Sequence, residues 1–247
     1  MCHSPENDEL EGVIRNLGQS LRSNLKVDRE ESWGWSSPVL IDYAKGCLKS
    51  QSLIALLDGT LYERGGDEHQ IYSISVTRDR FYKSTYGENY GCSTYFSSID
   101  PELTGKNFHG QSQSDPILYL KRWFFLNLLG DYQTRYEGIL LPDREGHLPK
   151  ICVSQEALRI DNPDLYLIEK AFKQNDYLKV SEDAFIHMPT GILLTDAAPR
   201  NVRLKEGEPV PFDAIAQIPT SPILHWIQQT TGYLPTLCDD VLACEAL

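Results

Sequence analysis

Hydrophobic positions along the chain change their period several times, and each change marks an element. Within the polar, acidic residues 1–37, Leu10, Val13, Ile14, Leu17, Leu21 and Leu25 recur at helical spacing, which predicts a peripheral amphipathic helix. "ESWGWSSP" interrupts it, because Gly, Ser and Pro punctuate and Pro38 disfavours helix at the residue before it. "PVLIDYAKGCLKSQSLIALL" predicts one helix or two short ones meeting at Gly46. From Asp58 the period shortens toward two. Strands are expected near Thr60–Glu63, Gln70–Val76 and Arg80–Thr85, with turns at "RGGDEH" and "TRD", as a three-stranded antiparallel meander. Residues 86–114 are rich in Gly, Ser and Asn and read as a long loop.

"DPILYLKRWFFLNLLGD" is the strongest helix signal. Asp115 suits the N-cap, Pro116 the first helical position and Gly130 the C-terminal stop. Its apolar residues occupy nearly every face, so it should be buried. "YEGILLPDREGHLPKICVSQEAL" predicts a hairpin turning at "PDREGH". "NPDLYLIEKAFKQNDYLKV" predicts an amphipathic helix capped by Asn162 and Pro163, and "SPILHWIQQTTGYL" one short helix in the tail. Between these, "VRLK" and "PVPFDAI" predict two strands joined by the tight turn "EGE". The order implies an α+β fold with a sheet-rich first half and a smaller second half.

The formal net charge of -12 argues against a nucleic-acid or anionic-membrane surface, either of which calls for excess Lys and Arg. It leaves nucleotide binding open, since a few cations and a divalent metal balance a phosphate tail locally. The six cysteines have no short paired spacing, which fits free thiols in a reducing compartment. No basic segment leads into an apolar core at the N-terminus, and no apolar run is long enough to span a bilayer. A cytoplasmic protein with no membrane and no nucleic-acid partner is the expectation.

Candidate chemistry gathers in "TGILLTDAAPRNVRLKEGEPVPFDAIA". Asp196 closes an apolar run, and Asn201 follows five positions later. In phosphoryl transfer, an Asp at such a place orients the attacking hydroxyl, and an Asn at this spacing reaches a metal that bridges the phosphates. The alternative is that both are solvated loop residues. Asp213 lies twelve residues beyond Asn201, and the intervening hairpin should bring the two together. An Asp and an Asn so held offer oxygen ligands to Mg²⁺. Lys83, in "RFYKST", shares a strand face with Phe81 and needs an anionic partner if that face is buried. The alternative is an edge-strand lysine that blocks aggregation. "GGDEH" is either a phosphate-approaching turn or a plain hairpin turn.

Taken in chain order, these pieces resemble a protein-kinase-like fold: glycine turn, strand lysine, helix, two strands, Asp-x4-Asn and a later Asp. "DAAPRN" is similar to the kinase catalytic loop, and "PFDAIA" stands in the place of the metal motif. The fuller pattern, in "GGDEHQIY", "RFYKST", "YLKRWFFLNLLGD", "YEGILL", "VSQEAL" and "TDAAPRNV", is similar to the kinase-like domains of bacterial polyvalent proteins of mobile elements. The resemblance covers roughly residues 58–216. It implies a compact protein-kinase-like fold, with residues 1–57 a helical extension, 58–160 an antiparallel-sheet N-lobe with its helix, and 161–247 a reduced C-lobe. It implies ATP and Mg²⁺ as cofactors, and assigns Asp196 as the catalytic aspartate, Asn201 and Asp213 as metal ligands and Lys83 as the phosphate-binding lysine. Gly65 and Gly66 would cover the phosphates. Gln155, Glu156 and Ala157 would form the hinge that meets the adenine through backbone groups.

The stretch after Asp213 is shorter than the region with which protein kinases bind peptides, so a small acceptor or one held elsewhere is expected. The activity implied is ATP-dependent phosphotransfer. The alternatives are a catalytically degenerate kinase fold (a pseudokinase) serving as a nucleotide-binding or interaction module, and an unrelated α+β protein whose acids are solvated.

Overall fold

The computed structural model describes residues 4–24, 36–57, 62–65, 68–73, 79–97, 108–112, 115–142, 147–158 and 162–247. Three helices come first, α1 (Pro5–Asn24), α2 (Ser36–Gly46) and α3 (Leu48–Leu57), followed by β1 (Tyr62–Gly65), β2 (His69–Ser73), β3 (Arg80–Thr85), β4 (Cys92–Phe96) and β5 (Phe108–Ser112). Then come α4 (Pro116–Asn127), β6 (Arg135–Leu140), β7 (Lys150–Glu156), α5 (Leu165–Gln174), β8 (Tyr177–Ser181), β9 (Ala184–His187) and β10 (Ile192–Thr195). The chain closes with β11 (Val202–Lys205), β12 (Glu208–Pro211), β13 (Ile215–Gln217), α6 (Ser221–Thr231) and α7 (Asp239–Glu245).

The class is mixed α and β with antiparallel sheets. One sheet has the strand order β1-β2-β3-β7-β6, a second the order β13-β10-β9-β8, and two separate hairpins pair β4 with β5 and β11 with β12. The expected meander of β1, β2 and β3 is present, with β3 covering the predicted residues. β3 lies between β2 and β7, which removes the edge-strand reading of Lys83. No helix among the described residues is long and apolar enough to cross a membrane.

Helix α4 is the hub. Asp115 caps it by accepting hydrogen bonds from the N–H groups of Ile117 and Leu118, and its residues from Tyr119 to Asn127 are buried. The main core joins α4 to residues as distant as Leu10 and Cys244. A smaller cluster packs α6 under the second sheet, and another, with Leu53, Leu57, Tyr72, Tyr82 and Cys152, seats α3 on the first sheet.

Several elements differ from the sequence reading. Helix α1 is not peripheral: Leu10, Ile14 and Leu17 are fully buried in the main core. The expected long loop holds the β4–β5 hairpin, pinned by Phe96 and Phe108 against Trp226 of α6. Helix α5 is capped by Asp164, whose carboxylate accepts from Leu167 N–H, rather than by Asn162. It stops at Gln174, because Asp176 turns the chain with φ 60° and "YLKV" runs on as β8. An additional short helix, α7, follows α6.

Gly138 sits at a bulge where the β6–β7 register shifts, with φ 139°. A Cβ there would fall 2.9 Å from Ser50 Cα, so α3 approaches β6 only because the side chain is missing. Ser50 Oγ uses that closeness to accept from Ile139 N–H at 2.9 Å. Gly138→Ala is predicted to destabilise the protein by about 1–3 kcal/mol, read as a lower urea midpoint with an unchanged denaturant slope.

Candidate functional site

The predicted convergence of Asn201 and Asp213 is a consequence of the β11–β12 hairpin. Val202 pairs with Pro211 and Lys205 with Glu208. The turn residues Glu206 and Gly207 both have positive φ, 56° and 93°, as a primed two-residue turn requires. The far end of the hairpin therefore returns to its start, where the Asn201 carbonyl accepts from Phe212 N–H at 3.1 Å and Asp213 N–H at 3.4 Å.

Asp196 ends the buried strand β10 in a left-handed turn, φ 52°, a conformation that Asp tolerates better than most residues. The Asn201 amide nitrogen fixes this turn by donating to the Asp196 carbonyl at 2.8 Å and to its Oδ2 at 2.7 Å, while Arg200 donates to Oδ1. Burial raises the Asp196 pKa, against the pull of Arg200.

Lys83 is 5 % exposed and donates to Asp213 Oδ1 at 2.9 Å. It also lies over the rings of Trp123 and Phe212, at 5.6 and 5.5 Å from their centroids. The strand alternation behind its prediction is borne out: Tyr82 points to the opposite face, into the α3 cluster. Helix α4 brings an arginine to this cluster, with targets of its own. Arg122 of α4 donates to Glu68 Oε1 at 2.5 Å, to the Asp213 carbonyl at 2.9 Å and to the Ala214 carbonyl at 3.2 Å. Burial works against an ionised Asp213, yet Lys83 beside it, with His69 and Arg122, holds its carboxyl well below the ordinary range.

Asp196, Asn201 and Asp213 face one cavity of about 760 Å³, shared with Glu68, Ile71, Asp183 and Arg200. The β4–β5 hairpin forms another wall with Thr94, Tyr95 and His109. The hairpin is anchored to the second sheet by Thr94: its Oγ1 lies 2.5 Å from Thr195 Oγ1, and its N–H donates to Gln217 Oε1 at 3.3 Å. Such a wall of carboxylates and an amide suits a cation or a cation-bound anion.

The remaining expected residues sit apart from this wall. Gln155 is buried and donates to Thr134 Oγ1 and to the Phe212 carbonyl, each at 2.8 Å. Glu156 is the exposed end of β7, and Ala157 N–H already donates to the Asp79 carbonyl at 2.7 Å. None of the three lines the cavity. Gly65 ends β1, and Gly66 lies outside the described residues. Sequence reasoning missed Glu68, His69 and Arg122. Charged groups at the centre of an apolar helix and beside a strand start were the available signal.

No protein-family model, no curated protein and no solved structure matches the chain.

His69 supplies a pH test. Burial pushes its pKa down from 6.5 to about 4, against the pull of Glu68 and Asp213. In the folded state it stays neutral where the unfolded chain already takes up a proton, so stability falls as pH drops from about 6.5 to about 4. Asp213 acts lower: its stabilisation is complete above its ordinary value of 3.8 and is lost as pH falls below it. Urea unfolding at pH 7 and pH 4.5 should show a clear loss in the wild type and a smaller one in His69→Gln.

Proposed function

We propose that the chain is a compact kinase-like phosphotransferase acting with ATP and Mg²⁺ on an acceptor yet to be identified. The observation that carries this reading is the Lys83–Asp213 contact at 2.9 Å, made while Asp213 N–H is bonded to Asn201. Lys83 meets the Asp213 carboxylate from a strand 130 residues away, and Asp213 and Asn201 line one cavity, which supports the reading that the catalytic-loop resemblance suggests. The strand order β1-β2-β3-β7-β6, with a helix between β3 and β6, supports the same reading, since the resemblance implies an antiparallel-sheet lobe with its helix.

The residues fit a hard cation. The Asn201 nitrogen is committed to Asp196, which leaves its amide oxygen as a ligand, and Asp213 lines the same cavity. These two would hold Mg²⁺, which supplies charge neutralisation at the phosphates when bound. On this reading Lys83 would exchange its Asp213 contact for a phosphate oxygen. On the same reading Asp196, its basicity raised by burial, would accept the acceptor's proton once the exposed Arg200 swings away.

A second reading, a non-catalytic nucleotide-binding or interaction module, is favoured by one observation: both Asp196 oxygens are already engaged, by Arg200 and by Asn201. Asp196→Asn separates the two. Release or transfer of the ATP γ-phosphate should fall at least about a hundredfold, while ATP affinity measured by titration calorimetry stays within about threefold. ATP binding without wild-type turnover would establish the module instead.

A further inference from the structure

At the cavity Asp213 also meets two residues that have no role in that reading, Glu68 and His69. Glu68, His69 and Asp213 each offer a ligand atom, and the three atoms lie within 4.8 Å of one another. They come from the start of β2 and from the turn after β12, brought together by Arg122, which bonds Glu68 through its side chain and Asp213 through its carbonyl. His69 is 1 % exposed. Its Nε2 is 3.0 Å from the buried Tyr119 hydroxyl, which orients the ring, while Nδ1 faces Glu68 Oε2 at 4.0 Å. Donation from Nε2–H to Tyr119 leaves the Nδ1 lone pair for a metal, the arrangement in which a second partner fixes a ligating imidazole.

The two carboxylates are divided in the same sense. Glu68 Oε1 accepts from Arg122 and from Cys92 N–H, so Oε2 is the oxygen turned toward His69. Asp213 gives Oδ1 to Lys83 and keeps a second oxygen. Nitrogen in the donor set selects against Mg²⁺, which prefers oxygen and water, and favours a borderline divalent transition ion. We propose that Glu68, His69 and Asp213 form a binding site for such an ion, of the Mn²⁺ or Zn²⁺ class.

Ligands about 2.1 Å from such a metal lie roughly 3–4 Å apart, so the side chains close by about 1 Å on binding. Lys83 and Arg122 already balance the two carboxylates, so the ion brings uncompensated positive charge. Bare metal therefore binds modestly, and an anion in its open positions, such as inorganic phosphate, tightens it. The site shares Asp213 with the phosphotransferase reading but does not depend on nucleotide binding, so either can fail without the other.

The test uses the native chain titrated with Mn²⁺ alone, read by electron paramagnetic resonance. The expected result is one bound Mn²⁺ per chain, a ¹⁴N modulation in the electron spin echo from a directly bound imidazole, and retention of Mn²⁺ against a tenfold excess of Mg²⁺. Phosphate should tighten binding. His69→Gln should abolish the ¹⁴N signal and weaken binding at least about tenfold, whereas His109→Gln, on the β5 strand that lines the cavity, should keep both. If His69→Gln fails to fold, the native ¹⁴N signal and the His109→Gln control decide. Absence of stoichiometric Mn²⁺, Mn²⁺ bound without nitrogen coupling, or loss of the coupling in His109→Gln would overturn the site.

Discussion

Four buried or half-buried charges, Lys83, Asp213, Arg122 and Glu68, form the cluster on which the two sheets depend. Each alone would be costly to remove from water, and each finds its opposite within 3 Å: Lys83 with Asp213 at 2.9 Å and Arg122 with Glu68 at 2.5 Å. Desolvation offsets most of the attraction, so the cluster adds less to stability than its distances suggest. Removing one member is another matter, because it strands a charge. The main effect is positional: Arg122 also holds the carbonyls of Asp213 and Ala214, so the chain entering β13 is tied to the helix at the centre of the core.

Arg122 is what α4 contributes to the site. A glutamate would compete for Lys83. Arg122 instead grips the backbone around Asp213 and leaves Lys83 to the Asp213 side chain. Asp213 thereby has its main chain fixed from α4 and its carboxylate from β3. Asn201 adds a third restraint through its carbonyl. On the phosphotransferase reading, a site restrained from three sides is pre-formed for a charged ligand, and little reorganisation is left for the moment of binding.

Local rules made part of this legible. The hairpin register forces Asp213 beside Asn201, because a two-residue turn leaves no freedom in which residues meet. Alternation along β3 places Lys83 on the face opposite Tyr82. What stayed hidden depends on tertiary partners. The helical spacing of Leu10, Ile14 and Leu17 reveals an apolar face but not that α4 covers it. The β4 and β5 strands read as loop because "CSTYF" and "FHGQS" are short and polar, and their apolar ends matter only through Trp226. Asn162 and Asp164 are both good caps, and only the fold decides between them. Glu68 and His69 lay in a stretch read for its glycines.

The central claim is that the Asp213 carboxylate receives a metal-bound phosphate. Thermal unfolding of the wild type and Asp213→Ala, with and without millimolar Mg²⁺–ATP, tests it most directly, since a ligand bound only by the folded state raises the midpoint. The account predicts an upward shift of a few degrees or more in the wild type and none in Asp213→Ala. No shift in the wild type, or equal shifts in both proteins, would contradict it.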